Sequence, residues 1–156
     1  MRVIFKKILV GVDSSQPSAR AVRVASSMAV EMAAEVTLIH VVSRVATTNG
    51  AGVHSRARLQ ADSRRAGEAL LRKAAKGFDA LTLVSQTLRE GVAADQILDC
   101  AAHWGAQLII VGAHSHSRLG HLILGSTADA VARGARCPVV TVGDDIDGKQ
   151  SLSSPL

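Results

Sequence analysis

Two stretches of this 156-residue sequence carry residue types that could hold a phosphorylated ligand. The first is Gly11-Val12-Asp13-Ser14-Ser15, where a carboxylate follows directly on an apolar run. A carboxylate in that place can accept hydrogen bonds from ribose hydroxyls or a base amine. It can equally serve as a local acceptor for backbone N–H groups in a turn. The second stretch opens at Gly112-Ala113-His114-Ser115-His116 and closes at Gly125-Ser126-Thr127, just ahead of a helix. Glycine lets backbone approach a ligand closely. The first turn of a helix leaves N–H groups without intrahelical partners, aimed at any anion that arrives. Ser126 and Thr127 add hydroxyl donors. A loop leading into a Ser-capped helix would show the same residues.

Other chemistry finds less support. His114 and His116 flank Ser115, with Arg118 and His121 nearby. A His-x-His pair can ligate zinc, but no Cys or carboxylate in this loop completes such a site. The remaining readings are donors that reach a phosphate and solvent-exposed side chains with no ligand. His40 lies inside an apolar run and reads as a core histidine with its hydrogen bonds met. Ser126 with any of the loop histidines could imitate a hydrolase pair, but a helix start is not a sharp nucleophile elbow. Cys100 and Cys137 form no CxxC pattern and read as buried, structural thiols.

The elements that must position these residues follow from the hydrophobic period. Short apolar runs at Lys6–Val12, Val36–Val42, Leu81–Thr87, Gln107–Gly112 and Pro138–Val142 read as strands. Between them, apolar residues recur at helical spacing. Ala21, Val22, Ala25, Met28, Ala29 and Met32 form one such face, behind Pro17 with Ser14 and Ser15 as caps. A basic helix over Ser55–Lys76 turns Leu59, Ala66, Leu70 and Ala74 inward. A third helix carries Ala94, Ile97, Leu98, Ala101 and Ala102, and a fourth carries Ala128, Val131, Ala132 and Ala135. Ser43–Ser55 reads as a long loop. Right-handed crossovers between such units give an α/β fold, an open five-stranded parallel sheet with helices on both faces. In such sheets a ligand lies beyond the carboxyl ends of the strands, near the switch in strand order. Both candidate stretches fall there. Residues 1–143 form one domain on this reading, and 144–156 a polar, flexible tail.

Composition narrows the class. Apolar residues make up 47% of the chain, enough for a core without disulfides or metals. Two cysteines provide no disulfide framework, and no apolar run nears the ~20 residues of a membrane span. The expectation is a soluble, cytoplasmic protein. Formal net charge is +5, much of it from Arg56, Arg58, Arg64, Arg65, Arg72, Lys73 and Lys76 on the basic helix. With no Tyr, two Phe and one Trp there is little on which bases could stack. That helix face reads as solvated, with no nucleic-acid partner and no membrane partner expected.

These residues carry a specific resemblance. The order Gly112-x2-Ser115-x9-Gly125-Ser126 is similar to the Gly-x2-Gly-x9-Gly-[Ser/Thr] motif of nucleotide-binding universal stress proteins, with serine at the second glycine. The turn Val12–Ser15, the segment Arg89–Ile97, the Leu-Ile-Ile-Val-Gly strand and the closing Ala-Arg-Cys-Pro-Val-Val-Thr-Val also resemble family features. The likeness runs from Lys6 to Val142 and implies an adenine nucleotide alpha-hydrolase-like fold. It further implies that Asp13 contacts the adenosine part and that Val41 helps wall the adenine. Gly112, Gly125, Ser126 and Thr127 would line the ribose and phosphates, with His114 and Ser115 beside them. The implied ligand is ATP, or AMP or ADP, with Mg²⁺ or Mn²⁺ held by the phosphates. A serine at 115 hinders phosphate binding if the position needs positive φ, and otherwise adds a donor. The sequence has no Gly-x4-Gly-Lys-[Ser/Thr] loop to fix a lysine over outer phosphates. At most a slow ATPase is expected, with the nucleotide as a regulatory ligand in a stress response. The alternative is a dimeric stress protein that binds no nucleotide and acts through protein contacts. The resemblance also implies a homodimer joined by the last strand, Pro138–Val142.

Overall fold

Strand and helix alternate along the chain as the period requires. In the computed structural model, which describes residues 4–45, 52–114 and 125–143, the order is β1 (Lys7–Gly11), α1 (Gln16–Met32), β2 (Glu35–Val42), α2 (Val53–Ala75), β3 (Val84–Glu90), α3 (Ala93–Trp104), β4 (Leu108–Gly112), α4 (Ser126–Gly134) and β5 (Val139–Val142). All pairings are parallel, and the strands lie in the order β3-β2-β1-β4-β5. The chain winds outward from β1 to β3 on one side, then crosses back to place β4 on the other. The switch in direction falls between β1 and β4, so their carboxyl ends flank a natural crevice.

Each sheet face is covered by two helices. Ile8, Val10, Leu38 and Ile110 pack against Ala21, Val22, Ala25 and Ala29 of α1 and Leu71 of α2. Leu9, Ile39, Ile109 and Val111 point the other way, into Ala94, Ile97 and Ala101 of α3 and Ala128 and Val131 of α4. Alternate residues of β1 and β4 thus enter opposite cores, and from Ile8 and Leu108 onward both strands are apolar because both faces are covered.

Helix ends follow local chemistry. Ser15 caps α1, accepting from the Ser18 N–H through its hydroxyl, and Pro17 stands in the first turn. The helix ends where Ala33 takes a left-handed conformation (φ 49°), and Gly105 closes α3 in the same way (φ 74°).

The structure departs from the periodic reading at the third strand, on α2 and at single positions of α3 and α4. The third strand is Val84–Glu90, shifted from Leu81–Thr87. Asp79 sets a turn first: its carboxylate accepts from the Leu81 N–H at 2.9 Å and its carbonyl from the Thr82 N–H at 3.0 Å. This turn chemistry outweighs the apolar run and leaves Leu81 96% exposed. On α2 the residues buried are Gly67 and Leu71, with Leu70 and Ala74 half-buried beside them, whereas Ala66 is exposed and Leu59 is 54% exposed. The helix lies so close to β2 that a β-carbon at Gly67 would be 2.6 Å from the His40 ring. Only glycine fits there. Ala102 and Ala132 are likewise exposed, because Cys100 and the α3–α4 contact take the inner positions. Among the described residues no helix is long and apolar enough to cross a membrane.

Candidate functional site

The tips of β1, β2 and β4 and the start of α4 enclose one open cleft of about 380 Å³. Asp13, Val41, Gly112, His114, Gly125, Ser126 and Thr127 all line it. Of the residues singled out from the sequence, Ser115 lies outside the described residues, as do His116, Arg118 and His121.

The Asp13 turn is tightly specified. The Val12 N–H donates to the Ile39 carbonyl at 2.8 Å, which continues the β1–β2 ladder one residue past the strand. The Asp13 N–H donates to Ser18 Oγ at 2.8 Å, and Asp13 Oδ1 accepts from the Ser15 N–H at 2.7 Å. One carboxylate oxygen therefore serves the turn. The other, Oδ2, stands 3.8 Å from His114 Nε2, across from the end of β4. Both roles open to Asp13 from sequence are thus compatible: one oxygen is a local acceptor and the other faces the cleft.

The opposite chemistry is supplied by α4. Its N-cap is Gly125, which has no side chain to satisfy the amides of the first turn. Those N–H groups, with the hydroxyls of Ser126 and Thr127, form an anion-seeking end on the same cleft as a carboxylate. A β-carbon on Gly125 would lie 3.9 Å from the His114 amide nitrogen, so His114 and Gly125 stand side by side at the rim. Gly125 has φ −56°, and the positive-φ glycines among the described residues are Gly91 and Gly105. Neither Gly112 nor Gly125 is there for a left-handed backbone. Gly112 answers to packing instead, because a β-carbon would meet Pro17 and Ser18 backbone at 2.7 and 2.6 Å.

Besides the core residues Ile39, Val111 and Ala128, three further lining residues were not singled out from the sequence as site residues. Ala93 and Ile97 of α3 and His40 of β2 complete the wall. The signal for α3 was present, since Ala93 and Ile97 fall in the segment Arg89–Ile97. His40 is a half-buried histidine with its hydrogen bond met, as read from the strand, yet it also borders the cleft: its Nδ1 lies 2.7 Å from the Val12 carbonyl oxygen. Among the described residues no group of three or more His, Cys, Asp or Glu is arranged to hold a metal ion.

Comparison with known proteins agrees with this architecture. The sequence model described as "Universal stress protein family" matches residues 4–143. The chain is 31% identical to universal stress protein YxiE of Bacillus subtilis over 151 residues, covering 89% of this chain and 99% of that one. Universal stress protein UspA from Lactobacillus plantarum superposes with a TM-score of 0.71 at 25% identity, over 90% of this chain and 99% of that one. A universal stress protein family member from Arabidopsis thaliana, solved with AMP bound, shares the fold with a TM-score of 0.64 at 18% identity, over 94% and 96% of the two chains.

Proposed function

The chain belongs to the universal stress protein family, and from that premise we propose that it binds an adenine nucleotide as a regulatory ligand in the cleft at the tips of β1, β2 and β4. The observation that carries this reading is the pairing of opposite chemistries in one cavity. Asp13 turns a carboxylate oxygen towards a space that Val41 and Ile97 wall with apolar surface. The start of α4, which has no side-chain cap among the described residues, turns amides and hydroxyls towards the same space. An adenine nucleotide has hydroxyls and an amine for the first, a flat base for the second and phosphates for the third. The AMP held by the Arabidopsis family member has the same parts.

On this reading Asp13 contacts the adenosine and Val41 packs on the base. Gly112, His114, Gly125, Ser126 and Thr127 border the ribose and phosphates, with Ser115 in the segment between. ATP is the fullest ligand, and AMP and ADP are its shorter forms. Mg²⁺ or Mn²⁺ would arrive on the phosphates, since Asp13 and His114 alone offer too few ligands for a protein cage. Bound nucleotide favours the conformation it fits and so acts on a partner surface. The protein works in the cytoplasm, in keeping with two unpaired cysteines. It works as a homodimer joined along β5, an edge strand.

The test has two parts. Protein purified without added nucleotide is denatured and any released nucleotide identified. Calorimetry then follows ATP with Mg²⁺, and AMP, into the folded protein. Heat of binding with a raised melting temperature is expected. A folded protein that gives neither is a stress protein acting through protein contacts alone.

A further inference from the structure

Resting on the nucleotide reading above, the geometry points to His40 as a positioning residue for the site: its ring fixes the peptide that aims the Asp13 carboxylate into the cleft. The peptide joining Val12 to Asp13 is a rigid plane, with the Val12 carbonyl on one edge and the Asp13 N–H on the other. Both edges are held. His40 Nδ1 lies 2.7 Å from the Val12 carbonyl oxygen, and Ser18 Oγ accepts from the Asp13 N–H at 2.8 Å. A carbonyl oxygen only accepts, so Nδ1 carries the proton and donates. The carboxylate rotates about bonds attached to this plane, and the Ser15 N–H at 2.7 Å takes Oδ1. Oδ2 is left towards the cleft.

The ring itself is seated by α2. A β-carbon on Gly67 would come within 2.6 Å of His40 Cδ2 and 3.3 Å of Nε2, so the ring occupies a slot that exists because residue 67 lacks a side chain. A glycine inside a helix is unfavourable by itself. Here it admits a hydrogen-bonding ring between α2 and the strand beside Asp13. His40 borders the cleft, but its hydrogen bond is made to the turn, so the effect argued here passes through Asp13.

The experiment separates positioning from mere filling of the core. His40→Leu keeps bulk and removes the donor; His40→Asn puts an amide nitrogen the same number of bonds from the backbone as Nδ1. Amide exchange at Asp13 and Ser15 is followed by NMR in nucleotide-free protein, and AMP affinity is followed by calorimetry. With the Val12 carbonyl left unpaired, His40→Leu is expected to speed both amides and weaken AMP by roughly tenfold, and His40→Asn to restore both. Where the leucine variant does not fold, His40→Gln replaces it, since its amide nitrogen lies one bond too far out. Unchanged protection at Asp13 and Ser15 in the leucine or glutamine variant overturns the inference, as does an asparagine variant no better than leucine. Wild-type protein that ignores AMP while the amide pattern holds counts against the nucleotide reading and leaves the role of His40 in the turn supported.

Discussion

Gly112 at the end of β4 and Ser18 in the first turn of α1 are packed backbone to backbone, with room for a hydrogen and nothing larger: a β-carbon on Gly112 would sit 2.6 Å from the Ser18 amide nitrogen. The same Ser18 holds the Asp13 N–H through its hydroxyl. The glycine that ends the fourth strand therefore seats the helix that seats Asp13. Gly112→Ala must displace the start of α1, an overpacking change that costs about 1–3 kcal/mol. The urea midpoint should fall accordingly, and nucleotide affinity should fall with it because Asp13 moves. An alanine variant with unchanged midpoint would mean that α1 yields freely at this point.

Gly125 predicts the opposite split. Among the described residues nothing lies closer than 3.9 Å to a β-carbon there, and its φ of −56° suits any residue. Aspartate is also a preferred N-cap, and its charge complements the helix dipole. Gly125→Asp should therefore keep or slightly raise the melting temperature, since a good cap exceeds glycine by about 0.3 kcal/mol. It should nevertheless abolish measurable ATP and AMP binding, because a carboxylate takes the place of the phosphates. Unimpaired affinity would show that the phosphates lie elsewhere.

How much of this was legible in the sequence depended on how local the cause was. The alternation of strands and helices and the capped start of α1 were visible because apolar period and turn residues act within a few positions. So was the convergence of Asp13 with Gly112 and Gly125, because strand tips in a parallel sheet share one end. What escaped was set by neighbours distant in sequence. The reason Gly112 is glycine lies in α1, and the reason Gly67 is glycine lies in His40. The shift of the third strand came from a local signal given too little weight, the Asp79 turn that holds Leu81 out of the strand, so that pairing with β2 begins only where the Leu83 carbonyl accepts from the Val36 N–H. On α2 the arginine-rich composition concealed that Gly67 and Leu71, four residues apart, mark the inner face.

The two thiols give a pH-dependent prediction. Burial pushes the Cys100 thiol up from its ordinary pKa, with Arg89 opposing and Asp99 adding to the rise, and burial also raises Cys137. A raised thiol pKa means the folded state favours the protonated form. That contribution is complete below the unfolded thiol range and is lost as pH rises through the folded values. Stability should thus decline on the alkaline side, and at neutral pH both cysteines should alkylate more slowly in native protein than in urea. Cys137, half-buried, should react before Cys100, which is 5% exposed. Iodoacetamide labelling followed by mass spectrometry reads the order directly; prompt labelling of Cys100 in folded protein would contradict its burial.

The proposed dimer can be tested without disturbing the core. The Ile109 N–H donates to the Pro138 carbonyl and the Ala113 N–H to the Val142 carbonyl, so the even-numbered residues of β5 turn their backbone groups towards β4. Val139 and Thr141 then face the open edge, because backbone groups alternate along a strand. Val140 is less suited to mutation, since its side chain packs against the α1 core. Thr141 is exposed, and proline there removes an edge donor while leaving the β4 ladder intact. Thr141→Pro should sediment as a monomer at concentrations where the wild type is dimeric, with the same far-ultraviolet circular dichroism. A proline variant that remains dimeric would place the interface away from β5.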